Sequence, residues 1–287
     1  MIKNRKYKRF LQQFLLYLAV LVIIIWTVAP YLWLIISSFS YRIDLLQVPL
    51  HWIPRRMTLD NYYELFFSQG GANFNADLFL RTLTNSTIIA FSATFTCLML
   101  GVLSAYALAR LKFPGSSVYV AMMMGAQLLP PIAIVIPIYV ILRYFNLLDT
   151  RLGLLLVYLS FILPLVVWLM RSYFAAIPSE LEDAARIDGC TRLGALVRVV
   201  LPLAGPGLVS VAVFAFIAAW NEYLYAFILT TADAKTLPVL IGEFSTKLGL
   251  EYLRIAAAGV LASLPPVILA LLFQRFIIRG LTAGAVK

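Results

Sequence analysis

The feature that most constrains this chain is a set of six long apolar stretches that are almost free of charged side chains. Each approaches or exceeds the roughly 20 residues that a helix needs to cross a bilayer. Lipid offers backbone groups no hydrogen-bond partners, and the alternation typical of a membrane β-barrel is absent, so these stretches are predicted to be helices. The stretches are residues 11–39, 82–109, 117–142, 152–170, 203–229 and 255–278.

Composition and charge agree with this interpretation. The chain is 62% hydrophobic and 13% charged, which predicts an all-α polytopic membrane protein with one transmembrane domain over residues 1–287. A net charge of +10 would also suit nucleic acid, but the basic residues concentrate on one side of the predicted membrane. That bias places both termini in the cytoplasm and makes a nucleic-acid partner unnecessary. The basic residues before the first stretch are Lys3, Arg5, Lys6, Lys8 and Arg9.

Prolines interrupt several of the predicted spans. Proline removes a backbone donor and crowds the preceding turn, so it bends or breaks a helix. A membrane tolerates this only where neighbouring groups or water satisfy the freed carbonyls. The third span is predicted to break or bend at Pro130, Pro131 and Pro137.

A polar loop, residues 171–202, separates the fourth and fifth spans. Ser179 followed by Glu182 has the spacing of a capping box, which predicts a helix beginning at Pro178–Ser179. Gly189 is placed to end that helix in a left-handed conformation, and a second short helix is predicted to run to Pro202. One face of the first helix carries small residues that a partner can approach closely. The residues predicted on that face are Leu181, Ala184, Ala185 and Asp188.

The spacing in this loop resembles the EAA loop of ABC-importer permeases. Asp183-Ala184-Ala185, then Gly189, then Val199, Leu201 and Pro202 match that pattern at every spacing, with Asp replacing Glu and Val replacing Ile. Other stretches, in their order along the chain, are similar to carbohydrate-type permeases, in particular the MalG-like subunit of maltose-class importers. Those stretches are NSTIIA, YALARLKFPG, LLPPIAIVIPIYVILRYFNLLDT, WNEYLYAFILT and TLPVLIGEF.

The resemblance implies a type I ABC-importer permease fold with six transmembrane helices and a cytoplasmic coupling helix, in the inner membrane of a prokaryote. It implies import of a sugar, an oligosaccharide or disaccharide, with a second related permease, a homodimeric cytoplasmic ATPase and an extracytoplasmic sugar-binding protein as partners. ATP and magnesium would be bound by the ATPase, and this chain contains no G-x-x-x-x-G-K-[ST] sequence of its own. The ATPase-coupling residues would be Ser179, Glu182, Asp183, Ala184, Ala185, Arg186, Asp188 and Gly189.

A second candidate site lies in the fifth span. An intramembrane carboxylate is costly when it faces lipid, so Glu222 is expected to face the protein interior or water. It belongs either to the translocation path or to a structural contact near the outer mouth. The candidate path residues are Asn221, Glu222, Tyr223 and Tyr225.

Other functional classes fit the sequence less well. An enzyme needs converging titratable groups, whereas the predicted spans contain one carboxylate and no histidine. No catalytic or metal-binding residue is therefore predicted. An ion-coupled secondary transporter is expected to carry several intramembrane charges and a repeated architecture. Within the importer class, a polyol or glycerol phosphate is the alternative to a sugar.

Overall fold

The computed structural model describes residues 2–47, 51–54, 56–68, 76–111, 113–244 and 252–283. Within these ranges every regular element is a helix and no β-strand occurs, which confirms the predicted all-α class. The five basic side chains predicted for the N-terminal tail lie outside the described side chains. The helices are α1 (Ile2–Ser38), α2 (Arg42–Leu46), α3 (Asp60–Phe67), α4 (Ala76–Arg110), α5 (Ser116–Ala126), α6 (Pro131–Tyr144), α7 (Arg151–Ala176), α8 (Ser179–Ile187), α9 (Arg192–Ala195), a π-helical turn (Leu196–Val200), α10 (Leu201–Leu203), α11 (Gly205–Trp220), α12 (Leu224–Leu229), α13 (Leu237–Glu243) and α14 (Tyr252–Ala283).

Four of the described helices are long and apolar enough to cross a membrane. They are α1, α4, α7 and α14, and they correspond to the first, second, fourth and sixth predicted spans. The third predicted span is a bent pair, α5 with α6 at 97°. The other bent pair, Arg192–Leu203 with α11 at 81°, overlaps the fifth predicted span essentially through α11, because α9 and most of α10 belong to the predicted polar loop. Counting each bent pair as one span gives the six that the sequence predicts.

The break in the third span lies where the prolines predict it. Helix α6 begins at Pro131, after Pro130 in an extended conformation with φ −65° and ψ 129°. Neither residue has an N–H that could continue the helical ladder from α5, so the chain turns between the two helices. Pro137 lies inside α6 and Pro164 lies inside α7, so these two prolines leave their helices continuous.

The fifth span differs from the prediction of one element over residues 203–229. The structure ends α11 at Trp220 and begins α12 at Leu224, with a non-helical segment between them. The carboxylate of Glu222 accepts hydrogen bonds from backbone N–H groups at the start of α12, and these bonds fix the position of the break.

The described residues group into two compact units. One comprises Met1–Ala76 with Glu243–Ala262, and in it the amide of Asn61 in α3 donates to the carbonyls of Ser38 (2.9 Å) and Ser40 (3.1 Å) at the end of α1. The other comprises Asp77–Gly242 with Ser263–Lys287 and holds both candidate sites. The single domain over residues 1–287 stays a prediction.

The core of the second unit forms where α4, α7 and α11 bury their inward faces. Two glycines allow close approach between helices. A Cβ atom at Gly101 of α4 would lie 2.6 Å from Cγ1 of Val166 in α7, and one at Gly207 of α11 would lie 2.5 Å from the ring of Tyr173 in α7. This packing fixes the helices at both ends of the loop that follows α7. The large buried side chains include Ile89, Tyr158, Ile162, Phe174, Val211 and Phe216.

At the other end of these helices, Asp149 secures the loop after α12. Its carboxylate, between α6 and α7, accepts five hydrogen bonds of 2.7–3.1 Å, and its own N–H donates to the carbonyl of Leu229. Asp149 adopts φ 54°, a left-handed conformation that Asp and Asn tolerate better than most residues. The donors are the hydroxyl and N–H of Thr231 and the N–H groups of Ala232, Asp233 and Ala234.

We expect Asp149→Asn to destabilise the protein by about 1–3 kcal/mol near neutral pH, because it removes charge-assisted hydrogen bonds. Burial raises the pKa of Asp149, but the hydrogen bonds from Thr231 and the neighbouring N–H groups outweigh that effect and hold the pKa well below its usual range. A depressed pKa gives stability that is complete above the unfolded-state pKa of about 4 and is lost as the pH falls through the folded-state pKa.

Thermal unfolding in detergent from pH 8 down to pH 3 measures this. The difference between wild type and Asp149→Asn should stay constant above about pH 5 and shrink toward pH 3. Asn tolerates the same backbone conformation, so the charge is the main change. Asp233→Asn in the same loop is the matched control, and equal effects of the two substitutions would contradict the prediction.

Candidate functional site

Helix α8 begins where the sequence predicts, but not by the predicted cap. It runs from Ser179 to Ile187, with Pro178 as the residue before its first turn and no capping side chain in the described chain. Glu180 and Glu182 lie in the first turn, where carboxylates interact favourably with the helix dipole. The capping-box prediction is therefore wrong, because the carboxylate of Glu182 contacts helix α4 instead of the backbone of Ser179.

The end of α8 confirms that Gly189 ends this helix in a left-handed conformation. This residue has φ 90°, in the left-handed region where a side chain is penalised. Its N–H donates to the carbonyl of Arg186 (3.1 Å), and the N–H of Cys190 donates to the carbonyl of Ala185 (3.0 Å). These two bonds form a Schellman motif, which ends the helix and turns the chain sharply toward α9.

The predicted coupling residues lie on two different faces of α8, one buried and one exposed. Glu182 is 8% exposed and Ala185 is 9% exposed, so both face the body of the protein. Ala185 was predicted on the face offered to a partner, and the structure corrects that placement. The other predicted residues on α8 and in its turn are exposed: Ser179, Asp183, Ala184, Arg186, Asp188 and Gly189.

A buried ionic contact attaches α8 to the end of α4. The hydroxyl of Tyr106 donates a hydrogen bond to Oε1 of Glu182. Nε of Arg110 lies 3.3 Å from Oε2 of Glu182, an ion pair whose two atoms lack hydrogen-bond alignment. Arg110 also donates to the carbonyl of Ile177 at 2.7 Å, just after α7 ends. Both side chains of the pair are nearly buried, so losing either partner would leave an uncompensated charge.

Sequence reasoning missed Tyr106 and Arg110 as members of this site. They lie four residues apart near the C-terminus of α4, which places them on one face of that helix. The ring of Tyr106 also packs edge-on against Phe174 of α7, with 6.3 Å between ring centroids. The available signal was a tyrosine and an arginine at this spacing where a span ends.

The loop continues through a short and irregular helical segment into α11. The hydroxyl of Thr191 accepts from the N–H of Gly194 and caps α9, and a π-helical turn then covers Leu196–Val200. Pro202 has no N–H to donate to the carbonyl of Arg198, so the α-helical ladder cannot run regularly through this turn. The predicted second helix is present, and the π-helical turn is a feature that the sequence pattern did not predict.

The second candidate site is organised by Glu222. Its carboxylate accepts from the N–H groups of Tyr225 (2.8 Å) and Ala226 (3.1 Å) at the start of α12. Tyr225 is buried and stacks on Phe161 of α7, with 5.7 Å between ring centroids. The structure therefore gives Glu222 a capping role within its own chain.

The remaining two candidate path residues are exposed. Asn221 and Tyr223 lie in the break between α11 and α12, and the ring of Tyr223 stacks on Phe227. In the described part of the chain, no group of three His, Cys, Asp or Glu side chains is close enough to hold a metal ion.

The chain resembles known permeases over most of its length. Its residues 97–283 match the family model described as the inner membrane component of binding-protein-dependent transport systems. It is 40% identical to the trehalose transport system permease protein SugB of Mycobacterium tuberculosis, over 82% of this chain and 84% of that one. It is 36% identical to the trehalose/maltose transport system permease protein MalG of Thermococcus litoralis, over 96% of this chain and 98% of that one.

The fold agrees with the family. A chain from the crystal structure of a bacterial ABC transporter that imports the acidic polysaccharide alginate superposes with a TM-score of 0.76 at 24% identity, covering 92% of this chain and 96% of that one. The family match covers α8, its glycine turn and the break before α12. This chain belongs to the inner membrane components of binding-protein-dependent transport systems, the permeases of ABC importers.

Proposed function

We propose that this chain is one permease subunit of an ATP-driven importer that moves a sugar across the cytoplasmic membrane. It pairs with a second, related permease, and a homodimeric ATPase docks on the exposed face of α8 from the cytoplasm. An extracytoplasmic sugar-binding protein delivers the solute on the opposite side. ATP and magnesium are bound by the ATPase, and this chain transmits movement without carrying out chemistry.

One observation carries the proposal: α8 is tied to the membrane helices on one face and left uncovered on the other. Glu182 and Ala185 are buried against the body, while Leu181, Ala184 and Ile187 are exposed, Ile187 at 86%. The exposed face combines apolar and charged groups around a small alanine, which suits insertion into a groove of another protein. The exposed Asp183–Arg186 pair, 3.6 Å apart, adds little stability by itself, so both charges are available to a partner.

The attachment of α8 provides a route for movement into the membrane. A displacement of α8 reaches α4 through Glu182, Tyr106 and Arg110, and it reaches α7 through the bond from Arg110 to Ile177. The short helices α9 and α10 connect it covalently to α11. Packed helices switch between discrete arrangements instead of deforming continuously, so such a shift can open the pathway to the other side of the membrane.

The proposed substrate is a sugar of disaccharide or oligosaccharide size. Relatives are named for trehalose, for trehalose and maltose, and for diacetylchitobiose. Another relative is named for sulfoquinovosyl glycerol, and a polyol or glycerol phosphate is the alternative substrate.

The proposed orientation follows from the docking face. α8 lies on the cytoplasmic side because ATP is bound there, and six crossings place both termini on that side as well. The exposed Asn221 and Tyr223 then line the translocation path, where their polar atoms can contact sugar hydroxyls. Glu222 supports that segment by holding the start of α12.

We expect Gly189→Ala to uncouple ATP hydrolysis from uptake. An alanine at φ 90° costs about 1–2 kcal/mol, although no atom lies within 4 Å of the added Cβ. The turn that orients α8 is thereby weakened, so sugar uptake should fall several-fold more than ATP hydrolysis. Uptake and ATPase rate are measured side by side in proteoliposomes that contain the whole transporter.

Gly205→Ala is the matched control for this experiment. Gly205, at the start of α11, also has open space around its Cβ position but no positive φ. It should behave as wild type, and Gly189→Asn should retain more uptake than Gly189→Ala because Asn tolerates the left-handed conformation. Equal uptake in the two alanine variants would contradict the assigned role of the turn.

We expect Ala184→Arg to impair ATPase binding alone, and Ala185→Arg to reduce the stability of the permease as well. Ala184 is exposed on the proposed docking face, so Ala184→Arg should abolish co-purification of the ATPase while leaving thermal unfolding of the permease unchanged within about 1 °C. Ala185 is buried, so Ala185→Arg should lower the unfolding temperature as well. ATPase retention by Ala184→Arg would show that α8 is not the docking element.

We expect Glu182→Gln to weaken the transmission of movement from α8 to α4, while the ATPase still docks on α8. The neutral side chain leaves Arg110 without its counter-charge, which should cost about 1–3 kcal/mol of stability. The ATPase should still co-purify, but uptake per ATP hydrolysed should fall. Glu180→Gln changes an exposed carboxylate two residues away and serves as the control; a similar loss in both variants would argue against a specific link through Glu182.

A further inference from the structure

A polar cleft lies between α4 and α7, at the opposite end of α4 from the coupling loop. Its volume is about 360 Å³, and it is open to the surroundings. Two arginines and one carboxylate give it both signs of charge with a net positive balance. The lining residues are Asp77, Leu80, Arg81, Thr84 and Arg151.

One of the two arginines is held in place by a buried network. Nε of Arg151 donates to Oδ1 of Asn85 at 2.7 Å. Asn85 is fully buried, and its amide donates to the carbonyls of Asp233 and Lys235, both at 2.8 Å. The Nε edge of this guanidinium is therefore fixed by Asn85, and Arg151 is one of the residues that line the cleft.

The other charged groups in the cleft keep their binding capacity. Arg81 makes no hydrogen bond or ion pair with any residue that the structure describes, although Asp77 lies four residues earlier on the same helix. That spacing permits a pair, yet both side chains instead line the cleft. The cleft is thus lined by a guanidinium and a carboxylate that pair with no group in the part of the chain that the structure describes.

Helix lengths place the cleft at the depth of lipid headgroups. Arg81 and Arg110 are 29 residues apart in α4, about 44 Å along the axis, which matches the 40–45 Å thickness of a bilayer including its headgroups. Arg151 and Arg171 are 20 residues apart in α7, about 30 Å, which matches the hydrocarbon core. With Arg110 at the membrane surface that carries the coupling loop, Arg81 and Arg151 lie at the other surface.

An exposed apolar stripe continues from the cleft along α4. Ile88 is 40% exposed, Phe91 57% and Phe95 66%, and their spacing continues the face that starts with Leu80 and Thr84. A molecule with a charged head in the cleft and an apolar tail on this stripe would satisfy both features. A water-soluble acidic partner would use only the arginines.

We propose that this cleft is a phospholipid site that selects a headgroup carrying both a phosphate and an ammonium, as in phosphatidylethanolamine. Arg81 and Arg151 bind the phosphate, since guanidinium groups match its geometry with paired hydrogen bonds. Asp77 binds the ammonium, and its charge disfavours headgroups that carry only negative charge. The acyl chains lie on the stripe that begins at Leu80.

Native mass spectrometry of the transporter, purified with its partner subunits, tests the proposal by titration with phosphatidylethanolamine or phosphatidylglycerol. Wild type should bind one phosphatidylethanolamine tightly, and Arg81→Gln should weaken that binding about tenfold through loss of a charge-assisted hydrogen bond. Asp77→Asn should remove the preference over phosphatidylglycerol. Arg81 makes no hydrogen bond or ion pair with any described residue, so Arg81→Gln should unfold at the same temperature as wild type in lipid-free detergent.

Arg143→Gln is the matched control, because Arg143 is an exposed arginine near the C-terminus of α6 that does not line the cleft. Its lipid affinity should equal that of wild type. Unchanged phosphatidylethanolamine affinity in Arg81→Gln overturns the proposal, and so does a headgroup preference that survives Asp77→Asn. Weaker association with the external binding protein in Arg81→Gln, with lipid affinity unchanged, would overturn it too and assign the arginines to an acidic protein surface.

Discussion

The structure depends most on the buried contact between Glu182 and the end of α4. A carboxylate removed from water is costly unless it is paired, and here Tyr106 and Arg110 supply the hydrogen bond and the opposite charge. Removal of any member leaves another charge or donor unsatisfied, so this contact has few alternatives of similar energy. It fixes which side of α8 faces the protein and therefore which side faces a partner.

A second carboxylate of the second unit, that of the half-buried Glu222, is satisfied in a different way. Glu222 accepts N–H groups only three and four residues later in its own chain, so its contact is local and moves with α12. Glu182 bonds to a helix about 75 residues earlier in the sequence, so its contact joins two elements. A local cap can support a broken helix during movement, whereas a contact between helices transmits movement from one to the other.

The sequence was sufficient for features that depend on short-range chemistry. The left-handed Gly189 and the break at Pro130 each follow from one residue type and its immediate neighbours. The sequence did not predict the correct contact where one residue had two possible partners. Glu182 has the spacing of a capping box, but Tyr106 and Arg110 offer it a stronger, charge-assisted contact from a distant helix. That competition also turned Ala185 inward, because Glu182 and Ala185 lie three residues apart on the same face of α8.

The two ends of α4 take part in different contacts. At one end Arg110 ties the helix to the coupling loop, and at the other Arg81 reaches the depth of lipid headgroups, about 44 Å away. Between them Gly101 lets α7 pack closely, so the middle of the helix has little freedom to deform. A displacement of α8 then chiefly tilts or translates α4 as a stiff helix. A headgroup bound at Arg81 would act on the opposite end of α4. The lipid composition of the membrane would consequently influence how readily α4 tilts. The bound lipid would do so although it touches neither the ATPase-docking face nor the path of the solute.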